Sequence, residues 1–275
     1  MDTYAEIEQK WRGMNVSGPP IRRLFRDVVA DRMPDRKPPQ AVMLFGTDID
    51  PCWDDRSFLA DFYSEILHQD DCMPDTADGL SLAVDLALDA RIPARQRFQA
   101  VRLLFSAATV AERHLAEAWP GAPRHADADS EARARHAVRD RVPELLARWP
   151  EECPAVRLAL AGLAVVFPTD RTLPALAARL RVFAHRYPQG TDVGDHVRFV
   201  LVMATRDDDR ILAATEKLTD AFWTGTAPGA PVRARALHLL GQMLDGLGSG
   251  LGNGPERPPA GHGRTGHRPH RFPAP

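Results

Sequence analysis

The five residues His68-Gln69-Asp70-Asp71-Cys72 bring an imidazole, two carboxylates and a thiol into one short stretch. These are the side-chain types that ligate transition metals. A zinc site needs four ligands at defined spacing, and no second His/Cys pair along the chain is placed to complete the set. The stretch is therefore expected to be polar helix-end residues. A second candidate is the apolar run from Ala41 that ends in Asp48-Ile49-Asp50. Two carboxylates at the end of a strand would suit magnesium. No phosphate-binding glycine loop or αβ alternation surrounds them, so an Asp-rich turn is expected, with Asp54 or Asp55 capping a helix from Ser57. The Asp207-Asp208-Asp209 run reads as an acidic helix start, with carboxylates at the positive end of the helix dipole. His262, His267 and His270 stand among glycines and prolines and read as solvated linker. The chain carries no Gly-x-Ser-x-Gly, P-loop, dinucleotide glycine motif or His-Glu-x-x-His. The residues thus point to no catalytic group, no metal and no cofactor.

Arginines are the other candidates. A Val-Arg pair recurs at Val101-Arg102, Val156-Arg157, Val197-Arg198 and Val232-Arg233. Apolar residues follow at offsets of four, seven and eleven, as in Leu160, Leu163 and Phe167, or Ala236, Leu239 and Met243. Those offsets share one helical face. Arg102, Arg157, Arg198 and Arg233 would then form a ladder along one side of a stack. Such a ladder either bridges neighbouring repeats through acids and helix ends or offers guanidinium forks to phosphates or acidic peptide. The structural role is the expected one, with Glu152 and Asp195 shortly upstream of two of the four.

The elements that must position these groups are helical. Ala and Leu dominate while aromatics are only 7% of the chain, which favours close-packed helices over sheets. Pro154 and Pro231 precede their valines, where a first-turn proline is tolerated. Helices are expected upstream of each copy at Asp78–Ala90, Pro143–Trp149, Leu173–Tyr187 and Ile211–Trp223. Trp119, Trp149, Tyr187 and Trp223 sit near helix ends as joint-filling residues. The Pro/Gly/Asp-rich stretch from Pro120 to Asp129 explains the longest interval between copies as an inserted loop. Residues 1–55, broken by Gly18-Pro19-Pro20, Pro34 and Pro38-Pro39, are expected to form an N-terminal helical cap. The helical periodicity runs over 56–245, and the Gly/Pro/Arg/His composition of 246–275 predicts a disordered tail.

A helix, a short turn and a second helix opening on Pro-x-Val-Arg resembles the HEAT-repeat, armadillo-like family of α-solenoids, over about residues 76–245. The best matches are Pro143 to Phe167, with Pro-Ala-Val-Arg at 154–157, and Ala230 to Leu244. The resemblance implies an all-α chain built as a right-handed solenoid of about four antiparallel helix pairs. It also implies a non-catalytic scaffold that takes a protein or peptide partner on its concave face. Some HEAT-like proteins are DNA glycosylases, which keeps a nucleic-acid-acting enzyme as the rival reading. An obligate accessory subunit of a complex is the third.

Charge weighs between these. The chain carries −2 in all. Four arginines against one glutamate put the segment from Gly246 onward at +3, leaving −5 on the rest. An acidic body disfavours nucleic acid, which calls for a basic footprint. Only three basic residues are lysines, the usage of a high-GC genome and no guide to function. Three widely spaced cysteines, a polar N-terminus and the lack of a long apolar run predict a cytoplasmic chain with free thiols and no membrane segment.

Overall fold

The computed structural model describes residues 66–90, 92, 94–219 and 225–249. The expected N-terminal cap, the Asp48/Asp50 turn, Trp223 and the tail histidines lie outside these residues. Nine helices are found among the described residues: α1 Thr76–Leu88, α2 Ala94–Ala108, α3 Val110–Ala118, α4 Ala128–Ala147, α5 Pro154–Val166, α6 Thr172–Arg186, α7 Asp192–Met203, α8 Asp208–Thr219 and α9 Val232–Ser249. The described residues are mostly helical, as the composition predicts. None of these helices is long and apolar enough to cross a membrane.

Consecutive helices pack as α1/α2, α4/α5, α6/α7 and α8/α9, with the short α3 standing between the first two pairs. The four Val-Arg valines all fall on the second helix of a pair. Val101, Val156 and Val197 are buried, and Val232 is partly so. The apolar offsets also point inward: Phe105, Leu160, Leu163, Ala236, Leu239 and Met243 are core residues.

At the centre lies α5, buried along almost its whole length and sheathed by α2, α4, α6, α7 and α9. Gly162 lets the helices approach closely there, because a Cβ would meet Phe105 of α2 and Leu244 of α9, each at 3.3 Å. In an open array each repeat meets only its neighbours. Here α9 packs on α2 and α3 as well as on α7 and α8, so the last helix returns to the first.

Four local expectations are corrected. Pro143 does not open a helix; it lies inside α4, which starts fifteen residues earlier at the Asp127 cap. The buried stripe Ala134, Val138, Val142, Leu145 holds that helix through the proline, at the cost of one backbone hydrogen bond. The long interval between the first copies holds a whole helix, α3, and not a loop alone. The tail was expected from residue 246, but α9 runs on to Ser249 because Leu244 and Leu247 are both buried. Finally, His68–Cys72 is no helix end. Leu67–His68 (β1) and Asp71–Cys72 (β2) pair antiparallel, in register Leu67↔Cys72 and His68↔Asp71. Gln69 and Asp70 make the turn with φ of 52° and 70°, the sign a two-residue hairpin loop demands.

One buried histidine carries a large pKa shift. His196 of α7 is fully buried, with Nε2 3.2 Å from the Leu158 carbonyl oxygen of α5. Burial pulls its pKa down to about 4. The unfolded chain takes up this proton near pH 6.5 and the folded one only near 4. Stability from this group is therefore complete above pH 6.5 and is lost as pH falls from 6.5 toward 4. Urea unfolding at pH 7 and pH 4.5 should show a drop on the order of 2–3 kcal/mol attributable to His196. His196→Gln should lose less stability than the wild type across the same interval.

Candidate functional site

Three of the four Val-Arg arginines do one job. Arg157 at the start of α5 donates to the Trp149 and Pro150 carbonyls just past the end of α4, both at 2.9 Å. Arg198 of α7 donates to the Ala184 and Tyr187 carbonyls at the end of α6, at 3.1 and 3.0 Å. Arg233 of α9 donates to the Val165 and Val166 carbonyls that end α5, at 2.9 and 3.1 Å. The last carbonyls of a helix have no partner within it, and a positive fork there answers both the missing bonds and the dipole. Burial lowers the pKa of Arg233.

Arg102 differs. It donates to Gln99 of its own helix and pairs with Asp245 of α9 near the surface. The equivalent role in α2 belongs to Arg97, which donates to the Ile92 and Ala90 carbonyls beyond α1. Arg97 is the fourth residue of α2, as Arg157 is of α5. Arg198 is the seventh residue of α7 and Arg233 the second of α9, so no single count from the helix start finds all four.

Arg97 also meets Glu152 at 2.9 Å, both side chains nearly without solvent contact. Glu152, in the turn before α5, takes a second arginine, Arg148, at 3.4 Å. An acid thus bridges the first pair to the second, as the ladder reading expects, but through Arg97. Asp195 instead accepts from the Gly190 amide in its own turn.

The densest group of chemically able side chains lies elsewhere, where the hairpin, α3 and α4 meet. The alternation of β2 turns Cys72 into the core and Asp71 outward. Asp71 Oδ1 lies 2.9 Å from His114 Nε2 on α3, and Asp71 Oδ2 lies 3.5 Å from His125 Nε2 in the α3–α4 connection. On its other side, His114 Nδ1 is 3.0 Å from Glu131 in the first turn of α4. The two imidazoles stand edge to face with centroids 5.5 Å apart.

Each member is held by its element. Asp127 caps α4 by accepting from the Asp129 and Ser130 amides, and the Ser130 hydroxyl holds its carboxyl below the usual range. Arg113, next to His114, donates to the Asp70 carbonyl and so ties the hairpin turn to α3. The Thr76 hydroxyl donates to the Ile66 carbonyl at 2.6 Å and anchors the other strand.

Of the ligand types in the 68–72 stretch, His68 is left in solvent and Cys72 in the core, its thiol pushed up to about 12 by burial, with Glu131 adding to the shift. Cys72 and Cys153 are free. Only Asp71 joins a constellation, and its partners come from residues that no local spacing connects to it.

Comparison with known protein families, curated proteins and solved structures finds no match to this chain.

The two kinds of arginine contact predict a ranking in urea unfolding. Glu152→Gln strands a buried guanidinium and should cost about 3–5 kcal/mol. Arg198→Met leaves helix-end carbonyls unsatisfied and should cost about 1–3 kcal/mol. Arg102→Ala removes a surface pair and should change stability by less than about 1 kcal/mol. An Arg102→Ala cost equal to that of Glu152→Gln would contradict this division.

Proposed function

We propose that this chain is a non-catalytic helical scaffold of the HEAT-like kind, and that it binds an acidic protein or peptide segment along the outer face of α6. The observation that carries the reading is the make-up of that face. From Arg171 to Arg186 the chain holds four arginines and no acid. At 100° per residue, Ala175, Ala178, Val182 and His185 lie along the middle of the exposed side. Arg181 falls on one flank and Arg179 and Arg186 on the other. Val182 is 70% exposed and one of three exposed large apolar residues in the described chain. The opposite side, through Leu173, Leu176 and Leu180, packs against α5 and α7. A narrow apolar ridge between basic flanks complements a segment with small apolar residues between carboxylates.

The recurring second helices, each with its inward valine, support reading the helix pairs as a right-handed solenoid of about four copies, closed by α9. The partner surface chosen here is the first helix of its pair and not a concave face. The nucleic-acid reading would draw on aromatics presented beside the arginines. Here Trp149 and Tyr187 are buried beneath Arg179 and Arg186, whose guanidinium carbons lie 5.7 and 5.9 Å from the ring centroids. An obligate subunit would expose a broad apolar patch, whereas among the described residues the exposed large apolar side chains are Met73 just after β2, Trp119 just after α3 and Val182 on α6.

Arg181→Glu combined with Val182→Asp alters only exposed side chains and should leave the fold unchanged by circular dichroism. Proteins retained from a host lysate by the wild-type chain, if they dock here, should be lost with the double variant, and high salt should release them. Retention of the same proteins by both forms would rule out this face. A gel shift on duplex DNA at low salt that the double variant abolishes would favour the nucleic-acid reading instead.

A further inference from the structure

The cluster of Asp71, His114 and His125 has the makings of a ligand set. One atom from each residue can be chosen so that all three lie within 4.8 Å of one another. Ligand atoms about a zinc ion sit roughly 2.0–2.2 Å from the metal. Modest rotation of an exposed imidazole is enough to close that gap, and the His125 side chain is 61% exposed. Two imidazole nitrogens and a carboxylate are the donors that zinc and its neighbours prefer over calcium or magnesium.

The surroundings strengthen the assignment beyond proximity. His114 is buried and cannot swing freely, and Glu131 Oε1 lies 3.0 Å from its Nδ1, placed to accept from that nitrogen. A carboxylate on the far nitrogen fixes the ring and its tautomer and leaves Nε2, with its lone pair, for a cation. That is the outer-shell arrangement found behind metal-bound histidines. Asp71 is equally constrained, by a two-residue turn and by Arg113 on the neighbouring Asp70. The buried His114 and the half-buried Asp71 are thus pre-placed by α3 and β2, while the third ligand comes from the exposed connection. Cys72 is not available as a fourth ligand, since its sulfur faces the Ala107 carbonyl. Water would complete the coordination sphere from the open side.

We propose that Asp71, His114 and His125 bind one divalent cation of the zinc class, with Glu131 orienting His114 from behind. The cation sits between His114 Nε2 and the Asp71 carboxylate, which face one another at 2.9 Å. It thereby joins three separate segments, the hairpin, α3 and the 119–127 connection, through a bond that exists only when the metal is bound. This site stands apart from α6 and does not depend on the partner reading.

The test uses the full chain, stripped with chelator, and Co²⁺ as a spectroscopic probe for Zn²⁺. The tail histidines compete as adventitious ligands, so a His262→Ala, His267→Ala, His270→Ala form is titrated beside the wild type. The expected result is one saturable Co²⁺ per chain in both forms, with visible d–d absorption of a four- or five-coordinate centre, displaced by Zn²⁺. His125→Ala should abolish that absorption while its metal-free melting temperature stays that of the wild type, because the ring is exposed. Glu131→Gln should weaken Zn²⁺ binding about tenfold or more. Saturable binding that survives His125→Ala, binding lost in the tail-histidine variant, or no saturable binding at all would each overturn the proposal.

Discussion

Two opposite charges, Arg97 and Glu152, face one another at 2.9 Å where almost no water reaches them, and the packing of the first two helix pairs depends on that meeting. A buried charge is tolerated only when its hydrogen-bonding capacity is used. Arg97 spends its remaining donors on the Ala90 and Ile92 carbonyls, and Glu152 its second oxygen on Arg148. The pair therefore fixes the exit of α1, the entry of α2, the end of α4 and the turn into α5 relative to one another. The same two helices, α2 and α5, also approach closely where Phe105 packs on Gly162.

A rule extends from this pair through the rest of the molecule. At several helix ends packed against the core, a guanidinium from another element covers the last carbonyls. Arg157 does so for α4, Arg198 for α6, Arg233 for α5, and Arg135 reaches the Ala108 carbonyl that ends α2 at 2.6 Å. Lysine, a point charge on a flexible stem, cannot bind two carbonyls as a flat fork does. The high arginine content has a structural consequence here whatever its origin. The Val-Arg dipeptide is the linear trace of the rule: valine turns into the core and arginine turns toward the neighbouring helix end.

That trace was legible because it is local. The helix faces, the inward valines and the acidic start of α8, where Asp207 accepts from the Arg210 amide, all follow from spacing within one turn or two. Three features were not legible for a shared reason. Arg97 has no valine before it, so the dipeptide pointed to Arg102. Pro143 signals a helix start, and only the burial of Val142 before it and Leu145 after it shows that the helix continues. The glycines of 246–249 signal a tail, yet Gly248 lies where a Cβ would come within 3.4 Å of Phe98, so the close approach of α9 to α2 favours glycine. In each case a tertiary contact overrides a local preference. The hairpin adds a fourth: a two-residue strand is too short for alternation to register.

The proposed cation site falls in the irregular part of the fold. Helix pairs that repeat a packing solution present similar outer faces, and their polar groups are largely absorbed in holding neighbours together. The α3 insertion breaks the repeat. Its connection carries His125 over the hairpin, and its helix brings His114 between two carboxylates, Asp71 and Glu131, that lie 60 residues apart in sequence. Stability alone is a weak reason to gather two acids around one buried imidazole, since apolar residues of similar volume fill such a joint at no electrostatic cost. The arrangement gains a reason when a cation completes it: the acid behind His114 raises the ligand strength of the ring, and the acid in front supplies an oxygen. The ladder of arginines makes the scaffold, and the break in the repeat leaves room for chemistry that the scaffold itself does not need.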